Sequence, residues 1–114
     1  MAIARFKGLC LDAGDPARLG VFWAAVLGRT WAAEGNGDGL VTGPTPQHTI
    51  WVNRVPEAKT VKNRVHLDIF TADLAGLEAA GATIVEPQDG TRNWTVLADP
   101  EGNEFCVLRR RADA

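Results

Sequence analysis

Apolar residues recur along this chain with two different periods, and the changes of period divide it into elements. Leu19, Phe22, Trp23, Val26 and Leu27 fall at i, i+3, i+4, i+7 and i+8, the spacing of one apolar stripe along a helix. Asp15 stands where an N-cap is wanted, and Pro16 suits the first helical position, where its missing N–H costs nothing. Gly28 suits a left-handed residue just past the end. Upstream, Ile3–Leu11 reads as a strand with Gly8 as its weak point. Downstream, Arg29–Glu34, Leu40–Thr42 and His48–Val55 read as strands, the last rich in β-branched and aromatic residues. Gly35–Gly39 reads as a hairpin loop, and Pro44 and Pro46 interrupt the pattern.

The pattern then starts again. Val65, Leu67 and Ile69 alternate with His66, Asp68 and Phe70, which predicts a strand over Arg64–Phe70. Thr71 or Asp73 can open a helix containing Leu74, Leu77 and Ala80, and Gly81 closes it as Gly28 closes the first. Thr83–Glu86, Asn93–Ala98 and Glu104–Arg109 read as strands, with Asp99–Asn103 as a tight turn. Asp15 and Asp73 stand 58 residues apart, and Gly28 and Gly81 stand 53 apart, so the second helix is the shorter. The chain thus reads as one domain of two modules, about 3–55 and 64–109, joined by a polar connector over 56–63. A module of about fifty residues buries a sheet face poorly alone, so two copies are expected to share a core. The predicted fold is α+β: two βαβββ modules forming a partly open mixed β-barrel with helices outside and a concave groove suited to a small ligand.

Composition narrows the function only a little. The 114 residues carry 12 basic and 14 acidic side chains, a balance that argues against a nucleic-acid partner. Arg109–Arg111 is the only basic run and reads as a solvated tail. No window approaches the roughly 20 apolar residues of a membrane span, and Met1–Lys7 lacks a signal-peptide core. Two cysteines make no disulfide framework, so a cytoplasmic location is expected.

Three strings bring in a family. DPARLGVFWAAVLG (15–28), NRVHLDIF (63–70) and DPEGNEFCVL (99–108) together resemble the vicinal-oxygen-chelate superfamily, which holds glyoxalase I, extradiol dioxygenases, and fosfomycin- and bleomycin-resistance proteins. The short glyoxalase-like domains common in actinobacteria look most similar, and the likeness runs from Phe6 to Leu108. It implies the fold just described and a homodimer. In metal-dependent members, each module gives one ligand from its first strand and one from its last. The resemblance puts a histidine seven residues before the aspartate that opens the second helix, and His66 matches. The same count from Asp15 lands on Gly8, which has no donor. Where members often carry a glutamate four residues after the turn glycine, this chain has Cys106, with Glu104 two residues earlier on the same strand face. The fourth position falls near Trp51–Asn53, none of them a strong hard-metal ligand.

The candidate site follows from these residues. His66 is the sharpest, either as a ligand or as a histidine held by Asp68 on its own strand face. His66 and Glu104 are the candidate metal ligands, with His48 or Cys106 as a third; two histidines and a carboxylate would suit non-haem iron. Cys106 beside His66 would invite a thiolate, whereas Cys106 and Cys10 taken singly read as small core fillers. Trp23 reads as core, and Trp51 and Trp94 as groove-lining faces that would stack planar or cationic ligands. Asn63–Arg64 reads as an anchor for a ligand anion or as partners of Asp68 and Glu86. The expected ligand-binding set is therefore Trp51, Trp94, Arg64, His66 and Cys106. The depleted ligand set favours a small-molecule-binding protein; the alternative is a divalent-metal lyase, isomerase or dioxygenase using Fe, Mn, Ni or Zn.

Overall fold

The computed structural model describes residues 1–109; Arg110 and Arg111 of the expected tail lie outside them. The chain falls into two compact units, Met1–Ala58 and the residues from Lys59 onward. In the first, β1 (Leu9–Ala13) leads into α1 (Pro16–Leu27), followed by β2 (Trp31–Ala33), β3 (Gly39–Val41) and β4 (Ile50–Arg54). The second repeats this with β5 (Asp68–Phe70), α2 (Leu74–Ala80), β6 (Thr83–Glu86), β7 (Trp94–Ala98) and β8 (Glu104–Leu108). The strand orders are β1-β4-β3-β2 and β5-β8-β7-β6. First and last strands of each unit pair in parallel, and the other pairs are antiparallel. These are two four-stranded mixed sheets of βαβββ form, and neither closes into a barrel.

Local chemistry sets the helix ends where the sequence places them. Asp15 accepts a hydrogen bond from the Arg18 N–H, and Gly28 takes left-handed angles of φ 66° and ψ 40°. Asp73, rather than Thr71, caps α2 by accepting from Gly76 N–H at 2.9 Å; Thr71 Oγ1 accepts the Asp73 N–H instead. The stripe on α1 buries Leu19, Phe22 and Trp23 with Ala13, Val41, Ile50 and Val52. Gly20 is unfavourable in mid-helix by about 1 kcal/mol against alanine, yet a Cβ there would overlap the Trp31 ring, as would one at Gly39. The two glycines form a slot for that indole. In the second unit Leu77, Ala82, Leu97, Phe105 and Val107 make the core, while Val96 is buried on the opposite sheet face.

The strands start later than the alternation suggests. β1 begins at Leu9, not Ile3, because its register with β4 runs only from Leu9↔Ile50 to Ala13↔Arg54, and residues 3–7 are exposed. β5 likewise begins at Asp68, so His66 precedes the strand rather than lying on it, although Cys106 N–H still reaches the Leu67 carbonyl at 2.9 Å. His48 ends a single 3-10 turn, Pro46–His48. Among the described residues no helix is long and apolar enough to cross a membrane.

Candidate functional site

Strand register builds one face of the second sheet. Opposed residues share a face, so Asp68↔Cys106 on β5/β8, Val96↔Cys106 on β7/β8 and Glu86↔Val96 on β6/β7 form a row across it. Phe105 and Val107 turn to the other, buried side. An open concavity of about 460 Å³ lies over the row, lined also by Lys62, His66, Arg92, Trp94 and Leu108. Arg92 lies over the Trp94 ring at 5.4 Å. It is held by a bond from Nε to the Trp94 carbonyl at 3.1 Å and an approach of 3.8 Å to Glu86.

His66 and Cys106, chosen from the sequence, meet here together with Asp68. His66 Nδ1 lies 2.9 Å from Asp68 Oδ1, and one donor atom from each of His66, Asp68 and Cys106 falls within 4.8 Å of the others. The imidazole, carboxylate and thiol offer three different kinds of ligand atom. Burial, and then the Asp68 carboxylate, push the Cys106 thiol up from its ordinary 9.0, so without a cation it stays protonated at neutral pH and is a poor nucleophile. Neither cysteine is a core filler: Cys106 is half-buried and Cys10 exposed. Both lie on the open face of a sheet, where the general preference of cysteine for the interior does not apply.

Glu104 shares the strand face of Cys106 but is not one of the three converging donors. Its carboxylate is already taken, with Lys59 Nζ 3.0 Å from either oxygen and Asn63 N–H donating at 2.9 Å. These bonds tie the connector to β8. Burial raises its pKa, but the Asn63 N–H and the Lys59 ammonium outweigh that and hold it at about 2, below the ordinary 4.5. A depressed folded-state pKa gives stability that is present above the unfolded value and lost as pH falls through the folded one. Between about pH 4.5 and 2 the chain should therefore lose stability. Glu104→Gln should flatten that stretch in urea melts taken across pH and lower neutral-pH stability by roughly 1–3 kcal/mol; an unchanged acid limb would refute the assignment.

The other sequence candidates lie elsewhere. Trp51 belongs to the first unit, where it opposes Cys10 and has the Lys7 ammonium 4.3 Å from its ring. Asn53 donates to Cys10 Sγ at 3.1 Å. His48 Nδ1 meets Thr45 Oγ1 at 2.6 Å, and its carbonyl accepts from Arg29. Arg64 is exposed and outside the concavity lining; His66 pairs with Asp68, and Arg92 approaches Glu86, where Arg64 was the expected partner. Sequence reasoning missed Arg92 and Lys62. Arg92 had a signal, since it stands two residues before Trp94 and so on the same side of an extended chain. Lys62, in the connector, had none.

The profile of a glyoxalase-like domain matches residues 8–108. The chain belongs to that family. No curated protein matches it in sequence. Among solved structures, this glyoxalase-like domain is similar to a glyoxalase/bleomycin resistance protein/dioxygenase family enzyme from Burkholderia phytofirmans PsJN. That match has 20% identity and a TM-score of 0.69, covering 93% of this chain and 98% of the other. A possible glyoxalase from Bacillus cereus matches at 16% identity and TM-score 0.65, covering 94% and 99%. TnmS3, an antibiotic binding protein from Streptomyces sp. CB03234, matches at 18% and 0.64, covering 97% and 99%. At such identities the likeness is one of fold. Within the glyoxalase-like domain the two units are not chemically equivalent. The 58-residue offset between Asp15 and Asp73 sets Gly8 against His66 and Cys10 against Asp68. The registers Cys10↔Trp51 and Asp68↔Cys106 then set Trp51 against Cys106.

Proposed function

We propose that this glyoxalase-like domain is a small-molecule-binding protein whose ligand lies on the open face of the second sheet. One observation carries it: an exposed indole, Trp94, shares a concavity of about 460 Å³ with Arg92, His66 and Cys106. That volume falls within the range of about 300–1,000 Å³ typical of ligand sites. Trp94 offers a flat apolar surface, and Arg92, held at the ring, adds charge to the stack. Trp51 and Arg64 take no part in that lining. TnmS3, which has this fold, is an antibiotic binding protein, and a planar ligand fits the same reading.

Titration of intrinsic tryptophan fluorescence against planar metabolites and antibiotics tests it. The expected result is saturable quenching by at least one compound, weakened tenfold or more in Trp94→Ala, roughly the loss of one good stacking contact. No saturable quenching by any compound overturns the proposal.

The second reading, a metal-dependent lyase, isomerase or dioxygenase, has its own support in the convergence of His66, Asp68 and Cys106. The donor set fits a divalent cation: those three residues would hold it, and it would supply Lewis-acid polarisation of a substrate oxygen. Elemental analysis of untagged protein after incubation with Fe, Mn, Ni and Zn tests this reading, which requires a stoichiometric ion. A cytoplasmic homodimer belongs to the same proposal, supported by family likeness and two free thiols; light scattering on purified protein gives the mass.

A further inference from the structure

We propose that His66, Asp68 and Cys106 form a thiolate-containing cation centre, complete within the second unit and selective for zinc-like ions over manganese or magnesium. The inference rests on the metal reading in one respect, that a cation binds at these residues; it adds that the sulfur binds as thiolate, that the second unit supplies the whole set, and which ions the donors choose. Asp68 is the decisive residue. It replaces Glu104, whose two oxygens are committed to Lys59 and the Asn63 N–H. It also stands directly opposite Cys106 in the β5/β8 ladder, so backbone pairing fixes the carboxylate beside the thiol.

His66 reaches the same place from two residues upstream, already held to Asp68 at 2.9 Å. On binding, the imidazole turns its Nδ1 from Asp68 to the ion as the Nε2–H tautomer, and the carboxylate it releases becomes a ligand beside it. Donors bound to zinc at about 2.0–2.3 Å lie roughly 3.3–3.8 Å apart. The three atoms, now within 4.8 Å of one another, therefore need to close by about an ångström, the scale of a side-chain adjustment. The first unit does not match this set: the pseudo-equivalents of His66 and Cys106 are Gly8 and Trp51.

Donor type sets the choice of ion. A thiolate with an imidazole favours zinc, cobalt and cadmium, whereas manganese and magnesium prefer oxygen sets. On binding, the Cys106 S–H bond breaks, its proton passes to solvent and the sulfur bonds the cation. Carboxylate and thiolate then together carry two negative charges, which a divalent ion neutralises.

The test is cobalt(II) titration of the metal-free full chain, kept reduced, followed by absorbance. The expected result is a near-ultraviolet sulfur-to-cobalt band saturating at one equivalent, unchanged in Cys10→Ser and lost in Cys106→Ser and Cys106→Ala. Affinity should fall roughly tenfold or more in Asp68→Asn and His66→Gln. Zinc should bleach the band, and equimolar manganese should not. Far-ultraviolet circular dichroism verifies that each variant is folded, and having two Cys106 variants guards against a single misfolded one. Cobalt binding without the band, a band that survives loss of Cys106, or full affinity in Asp68→Asn overturns the centre while leaving metal binding in place. No stoichiometric binding of any ion overturns both.

Discussion

Replacing Phe105 with alanine is expected to destabilise the chain by about 3–5 kcal/mol, the cost of emptying a buried aromatic site. Phe105 is 1% exposed and stands directly opposite Leu97, itself fully buried, in the β7/β8 ladder. Its loss removes burial and leaves a cavity in a core built from a handful of side chains. The consequence reaches the site because β8 carries two faces: Phe105 and Val107 on the buried side, Glu104 and Cys106 on the open one. A β8 that loses its buried anchor also holds Cys106 less firmly against Asp68. Urea melts should show a lower midpoint with an unchanged slope, together with weaker cobalt binding. Phe70→Ala is the control: that ring is 56% exposed, and its loss should cost within about 1 kcal/mol. Equal losses from the two would refute this account of the core.

How much of this was legible depends on what each residue answers to. Helix ends answer to local chemistry, so Asp15, Gly28, Asp73 and Gly81 could be read directly. The stripe Leu19–Phe22–Trp23 answers to a period and was equally plain. Strand starts answer to a partner far along the chain, and so β1 and β5 came out too long. With β5 shortened, His66 moved off the strand, yet its partner stayed Asp68, because two residues apart in extended chain means one side in either case. Glu104 reads from the sequence as a candidate metal ligand, but its carboxylate has a partner instead. The partner, Lys59, lies 45 residues away in a connector with no pattern of its own. The cysteines were misread for a different reason. Residue-type burial preferences assume a covered face, and here the sheet face is open.

Trp23→Ala should cost a similar amount, about 3–5 kcal/mol, in the first unit. Trp23 is 1% exposed and meets Phe22 edge-on, with centroids 5.1 Å apart and planes at 84°, a geometry worth about 0.5–1.5 kcal/mol beyond burial. Trp31 is not free to refill the vacated volume, since it is already seated in its Gly20–Gly39 slot. The measured drop should therefore approach the full cavity cost. What makes the variant informative is where the drop is not expected. The proposed cation donors, His66, Asp68 and Cys106, and the stacking face, Trp94, all belong to the second unit. In conditions where Trp23→Ala remains folded by circular dichroism, cobalt affinity should stay within about twofold of the parent, because every proposed donor is held by second-unit elements. A tenfold loss would mean that the first unit supplies part of the centre, and the claim that three donors complete it would fail.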